Sequence, residues 1–323
     1  QQRGRWHHSR HEDRVRFREG VETALYALYV LNIPAGECVV QRESPRDYRV
    51  YRAGTLSSKD PAEGQMAQKC GLRKERPCHF STTFGADVEC LLQHKTTGRW
   101  VSASSITAEN NAIGYDDAVA VRGNQVIHPI LELRPRPGLT AKQLYRHLLR
   151  LYWKFEQYLA AHELCAVTKG FGRFQLGGHL HVGCQPLTFQ HVRNLDLFLA
   201  IPLSLTESAD SVERRQRFGR LGSVKPNRYS GFEYRTLSSW YHLIPELLPV
   251  LEWFCYIIQH PDHFPTLDLY HDAVRGYYRH ETDNLRRVTE EVERICNRSL
   301  PAEDAAAFAA PFFRLIKEKA VML

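Results

Sequence analysis

Polar and apolar residues alternate with period two in four separate stretches of this 323-residue chain. Residues 177–183 (GGHLHVG) set His179 and His181 on one face of a strand, with Leu180 and Val182 on the other. Residues 84–92 (FGADVECLL) place Asp87 and Glu89 about Val88, and residues 127–136 (IHPILELRPR) place Glu132 and Arg134 about Leu133. Residues 231–240 (GFEYRTLSSW) repeat the device with Glu233 and Arg235 about Tyr234. One charged alternation is ordinarily the wet face of a sheet. Four of them, together carrying four carboxylates, two histidines and two arginines, read as a site for cations and phosphate.

Between these strands the period changes to that of a helix. Thr140 is placed to cap a long helix ending near Glu163, with Leu144, Leu148, Leu151, Tyr152, Phe155 and Leu159 as its apolar stripe. Thr188 begins a second helix to about Leu205, kinked by Pro202. Residues 12–31 predict a helix ended by Asn32 and Pro34, and after Trp240 the pattern predicts helices over 243–258, 267–282, 283–296 and 302–319. A turn near Thr97 and Gly98 joins a strand over 82–92 to a shorter one over 100–104, and a further short strand is predicted over 48–52. The hairpin favours an antiparallel or mixed sheet, hence an α+β fold with helices on the face opposite the site. Residues 1–80 form a small accessory region and residues 81–323 the main domain.

Composition narrows the function classes. No apolar run approaches the roughly 20 residues that span a bilayer, and the N-terminus shows no signal-peptide pattern, so no membrane partner is expected. The net charge of +7 is concentrated in residues 1–80, which hold 15 Lys/Arg against 10 Asp/Glu. Such an arm could serve nucleic acid, but no RNA-binding or helix-turn-helix motif accompanies it, and a solvated face is the simpler reading. Eight cysteines occur without a CxxC pair or the spacing of a disulfide framework, which predicts a reducing, cytoplasmic setting. Cys70, Cys78 and His79 lack the second pair a zinc site needs. Residues 210–230 (DSVERRQRFGRLGSVKPNRYS) carry Arg214, Arg215, Arg217, Arg220, Lys225 and Arg228 just before the Glu233 strand, and read as a loop that grips phosphate. There is no Gly-x-x-x-x-Gly-Lys phosphate loop.

The motifs GADVE, ELRPRPG, GGHLHVG, the RFGRLGSVK loop and GFEYRTLSSW, in that order over residues 82–242, resemble the phage-type carboxylate–amine ligases (COOH–NH2 ligase type 2, amidoligases). These are distant relatives of glutamine synthetase and glutamate–cysteine ligase. The resemblance implies a glutamine synthetase-like catalytic domain, a curved, mainly antiparallel sheet with helices on its convex face and ATP and Mg2+ on its concave face. It implies an ATP-dependent carbon–nitrogen ligase: a carboxylate takes the γ-phosphoryl group to form an acyl phosphate, and an amine displaces phosphate to leave an amide or isopeptide bond. On the same resemblance Asp87, Glu89, Glu132, His179 and Glu233 bind metal. His181, Arg217, Lys225, Arg228 and Arg235 contact the nucleotide, and Glu233, Arg235 and Arg134 act at the reacting groups. Larger relatives gather more carboxylates before the HxH strand; here Asp116 or Asp117 would supply one, which leaves the number of metal ions open.

The donor set agrees with that chemistry. Magnesium takes oxygen ligands, and two histidines also admit Mn2+ or Zn2+. Two other readings stand beside the ligase. A metal-dependent hydrolase would use the HxH and carboxylate cluster to activate water. A nucleic-acid-binding protein would use the basic arm. The acid and the amine, small molecule or peptide, are not spelled in the sequence, and a homo-oligomer stays open.

Overall fold

The structure, a computed structural model, describes residues 18–33, 36–44, 48–55, 81–208, 210–267 and 271–320. Two units divide the chain: residues 1–75 with 266–270, and residues 76–265 with 271–323. In the first, helix α1 (Arg18–Val30) accompanies an antiparallel hairpin of β1 (Gly36–Arg42) and β2 (Tyr48–Thr55), whose register shifts between Val39 and Val40. Ala24, Leu28 and Cys38 make its small core. The sequence pattern predicts only the second of these strands, because residues 36–42 mix polar and apolar positions without strict alternation. Cys70, Cys78, His79 and most of the basic arm lie outside the described residues.

The second unit is built on β3 (Thr83–His94), a strand long enough to pair with four others. Shorter strands follow in order: β4 (Trp100–Val101), β5 (Ile113–Tyr115), β6 (Ala120–Arg122), β7 (Gln125–Ile127), β8 (Leu131–Leu133), β9 (Leu164–Val167), β10 (Gly178–Gly183), β11 (Val224–Asn227) and β12 (Gly231–Tyr234). The main sheet has eight strands in the order β11-β12-β10-β3-β8-β5, with β4 and β9 also paired to β3, and every pairing is antiparallel. The predicted turn before β4 is present, with Gly98 at φ +65°, where a side chain would be strained. The mixed α/β architecture expected from the sequence is the one observed.

One face of this sheet is apolar and covered by helices. Phe84, Val88, Cys90, Leu133, Val182, Phe232 and Tyr234 are all fully buried there. Helix α2 (Ala141–Ala161) starts as predicted, with Thr140 Oγ1 accepting from the Gln143 N–H, and buries Leu144, Leu148, Phe155 and Leu159. Helix α3 (Phe189–Leu195), capped by Thr188, runs into a π-helical turn (Asp196–Ala200) before a short turn holding Pro202. The widening has a local cause. Pro202 has no N–H for the carbonyl of Phe198, and the Trp253 indole N–H donates to that carbonyl instead at 2.8 Å. Helix α4 (Ser211–Arg217) follows, and helix α5 (Leu248–Gln259) brings Phe254 edge-on to Phe84 at 6.0 Å. Helices α6 (His271–Arg279), α7 (Thr282–Ser299) and α8 (Ala310–Ala320) complete the unit, Phe312 stacking on Trp253. Among the described residues no helix is long and apolar enough to cross a membrane. Cys184 is disulfide-bonded, which the scattered cysteine spacing did not foreshadow.

The Gly178 backbone carries the Trp240 indole against it: Trp240 Nε1 donates to Gly178 O at 2.9 Å, and a Cβ at 178 would overlap the ring. Gly178→Ala is therefore expected to cost about 1–3 kcal/mol, read as a lower thermal unfolding midpoint.

Candidate active site

Strand register turns four triplets that are distant in sequence into one surface. His179 lies opposite Asp87, and Glu89 opposite Glu132. His181 lies opposite Gly85 on one side and Glu233 on the other, and Lys225 is opposite Glu233. Directly opposed residues share a face of the sheet. Glu132, Glu89, Asp87, His179, His181, Glu233 and Lys225 therefore form one row across β8, β3, β10, β12 and β11, on the face opposite the apolar one. Gly85 gives the row its room, since a Cβ there would meet His181 Cβ at 3.2 Å.

Asp87 is the centre of the contacts. Its Oδ2 is 2.8 Å from His181 Nε2. Its Oδ1 is 2.9 Å from His179 Nδ1, yet it is buried without an aligned hydrogen bond. His179 Nδ1 also lies 3.3 Å from Glu233 Oε1, and Arg235 Nε approaches the same oxygen at 3.1 Å. Glu132 is ion-paired with Arg134, which further donates to the carbonyls of Glu109 and Tyr115. Asp87, His181 and Glu233 each offer one ligand atom, all within 4.8 Å of one another.

The cluster concentrates negative charge in a desolvated place. Burial pushes the Asp87 carboxyl up, but the contacts and charges of His179 and His181 overcome this and hold it well below the usual carboxylate range. For Glu132, burial and the charge of Asp87 outweigh Arg134, and its carboxyl is pushed up to about 9. Burial likewise raises Glu89, against the charge of His179 and the Gly177 N–H that donates to it at 2.6 Å. Burial depresses His181, but its hydrogen bond to Asp87 wins and raises it. A buried carboxylate oxygen without an aligned hydrogen bond, beside two acids whose ionisation burial opposes, is what a divalent cation would satisfy. The donor set is mostly oxygen, with one or two imidazoles, and fits Mg2+ or Mn2+.

The basic stretch departs from its expected form as a phosphate-gripping loop. Residues 211–217 are helix α4, and Arg214 and Arg215 point inward rather than to solvent. Arg215 pairs with Glu207 at 2.7 Å and stacks on Tyr277. Arg217 is exposed beside Glu213 at 3.9 Å, and Arg228 lies over the Tyr229 ring. Of the expected nucleotide contacts, the structure joins His181 and Arg235 directly to the cluster, aligns Lys225 with it, and gives Arg217 and Arg228 surface partners. Asp116 accepts from the Ala118 N–H at 2.7 Å in a turn, and Asp117 is exposed.

Several residues that shape the site carry no signal a triplet search would find. Ser239 Oγ donates to the Glu89 carbonyl at 2.5 Å, and Gly177 forms a bridge to Ser238. Ser238 Oγ donates to Glu207 at 2.9 Å. Residues 235–240 thus strap the segment around Gly177 and Gly178 against β3. The glycine pair and the run TLSSW were the only sequence hints of it.

A family profile described as phage phiEco32-like COOH.NH2 ligase-type 2 matches residues 84–322, the span that contains every residue of the row. No curated protein matches. Among solved structures, one titled "Apo GmaS without ligand" is similar at 15% identity and a TM-score of 0.40, over 95% of this chain and 89% of that one.

Proposed function

The chain belongs to the phage phiEco32-like COOH–NH2 ligase type 2 family, and from that premise we propose that it is an ATP- and divalent-metal-dependent enzyme joining a carboxylate to an amine. The observation that carries the reading is the single row of buried and half-buried acids and histidines around Asp87, with Asp87 Oδ1 facing His179 without an aligned hydrogen bond and two arginines at its rim. A carboxylate is a poor electrophile and needs activation before an amine can attack. Phosphoryl transfer asks the protein for positioning and for neutralisation of charge more than for covalent chemistry.

Asp87, His181 and Glu233 would hold the metal, with Glu89, Glu132 and His179 around them. When bound, Mg2+ or Mn2+ would neutralise phosphate charge. Arg235, on the Glu233 carboxylate, is placed to take phosphate oxygens as they develop charge. Arg134, fixed by Glu132 and two carbonyls, is placed to orient the acid substrate with its remaining donor capacity. The substrate carboxylate attacks the terminal phosphorus of ATP and ADP leaves; the amine then attacks the acyl carbon, phosphate departs with the electron pair of the mixed anhydride, and the proton shed by the nitrogen leaves to phosphate or solvent.

Purified protein with ATP, Mg2+ and pooled acids and amines is expected to release ADP and phosphate in step with amide formation, measured by coupled assay and mass spectrometry. Chelation should stop it and Mn2+ should restore it. Bond hydrolysis by the chain without nucleotide would replace this reading with a metal-dependent hydrolase.

A further inference from the structure

The row of acids has a brace at its edge, beside His179, that none of the four triplets contains. Arg214, in the short helix α4, is buried, and its guanidinium is spent on main chain rather than on a carboxylate. Nη1 donates to the Thr236 carbonyl and Nη2 to the Arg235 carbonyl, both at 2.9 Å. The same guanidinium crowds Gly177 and Gly219, so a Cβ at Gly177 would come 2.8 Å from Nη2. Gly177 is the residue whose N–H donates to Glu89. Among the described residues Nε has no hydrogen-bond partner.

From this geometry we infer that Arg214 is a positioning residue for the ligase site: its fork fixes the main chain from which Arg235 projects, and its guanidinium seats the Gly177 segment whose N–H holds Glu89. The inference rests on the ligase reading and adds to it a residue outside the metal and nucleotide row. A lysine cannot do both jobs. It keeps the charge, but one ammonium on a flexible stem cannot hold two carbonyls in the plane of a fork. The neighbouring Arg215 serves differently. It closes on Glu207, the Ser204 carbonyl and the Tyr277 carbonyl, and reaches the 235–240 strap only at second hand, through the Ser238 hydroxyl on Glu207.

The test compares Arg214→Lys with the wild type and with Arg215→Lys, all as full-length chains. Four quantities are measured: Mn2+ affinity by electron paramagnetic resonance, kcat, KM for ATP, and the thermal midpoint. Loss of a group that orients metal ligands from outside the ligand set typically costs about 10- to 100-fold in affinity or activity. Arg214→Lys is expected to lose that much in kcat and to weaken Mn2+ binding at a temperature where it is fully folded. Arg215→Lys should lower the thermal midpoint and lose less kcat per folded molecule than Arg214→Lys. Addition of millimolar guanidinium to Arg214→Gly should restore part of the lost turnover, at concentrations that do not change the wild type. Arg214→Lys with wild-type kcat and Mn2+ affinity would overturn the inference. So would losses in Arg214→Lys no larger than those of Arg215→Lys at matched folded fraction. The wild type's own Mn2+ binding and amide formation test the ligase reading, and the variant-to-wild-type ratio tests Arg214, so the two failures appear in separate measurements.

Discussion

Asp87→Asn is expected to lower amide-forming turnover by about 1000-fold and to weaken Mn2+ binding in parallel, while the sheet stays folded. Asp87 is the one carboxylate in contact with both histidines of the HxH strand, at 2.8 Å and 2.9 Å. It also shares the three-residue ligand group with His181 and Glu233. Asparagine keeps the shape and can still accept from His181, so the β3–β10 register has no reason to slip. What it removes is the charge, and the charge is what a divalent ion and the two imidazoles respond to. The apolar face behind Asp87, with Val88 and Phe84 buried, is untouched. Circular dichroism should be unchanged, Mn2+ titration should shift, and product formation should fall. A variant with normal turnover and normal Mn2+ affinity would remove Asp87 from the centre of the site and with it the geometry proposed here.

The contrast between β10 and α4 shows what the sequence carries and what it does not. On β10 the period of two makes the faces legible: His179 and His181 must leave on one side if Leu180 and Val182 are buried, and they do. The same holds for Asp87 and Glu89 about Val88. Register is a different matter. That Asp87 meets His179 while Gly85 meets His181 depends on how strands 90 residues apart align, and nothing local to either strand says so. In α4 even the environment was misread. A run of arginines with flanking glycines looks solvated, because burying a guanidinium is costly until its donors are filled. The carbonyls that fill them, of Thr236, Arg235, Tyr277 and Ser204, belong to other segments and exist as a cage only in three dimensions. Asp196 is a similar case: it is fully buried and accepts from the Tyr234 hydroxyl at 2.6 Å, a role invisible in a stretch read only as a helix kinked by Pro202.

Glu132→Gln is expected to make the metal-free protein more stable at alkaline pH while costing it activity. The Glu132 carboxyl is pushed from 4.5 up to about 9 by burial and by Asp87, with Arg134 offsetting only part. Between those two values the folded chain keeps a proton that the unfolded chain releases. Stability must therefore fall as pH rises through that window, and above about 9 the full cost of a buried charge is present. Glutamine cannot ionise and still accepts a hydrogen bond from Arg134, so the variant's curve should lack this slope. The two proteins should agree near pH 4.5, and by pH 8.5, in the presence of a chelator, Glu132→Gln should be ahead by something on the order of a few kcal/mol. Asp87 acts with the opposite sign, since its depressed carboxyl favours the fold above the unfolded value and loses that contribution as pH falls below it. Taking the difference between variant and wild type isolates Glu132 from that background. Saturating Mn2+ should close or reverse the gap, because a divalent ion binds the ionised carboxylate and not the amide. Denaturant titrations at pH 5 and 8.5, with and without Mn2+, measure all four corners. Wild type and variant of equal stability at pH 8.5 under chelation would mean that Glu132 is charged and already satisfied by Arg134, leaving no unmet charge there for a metal to meet.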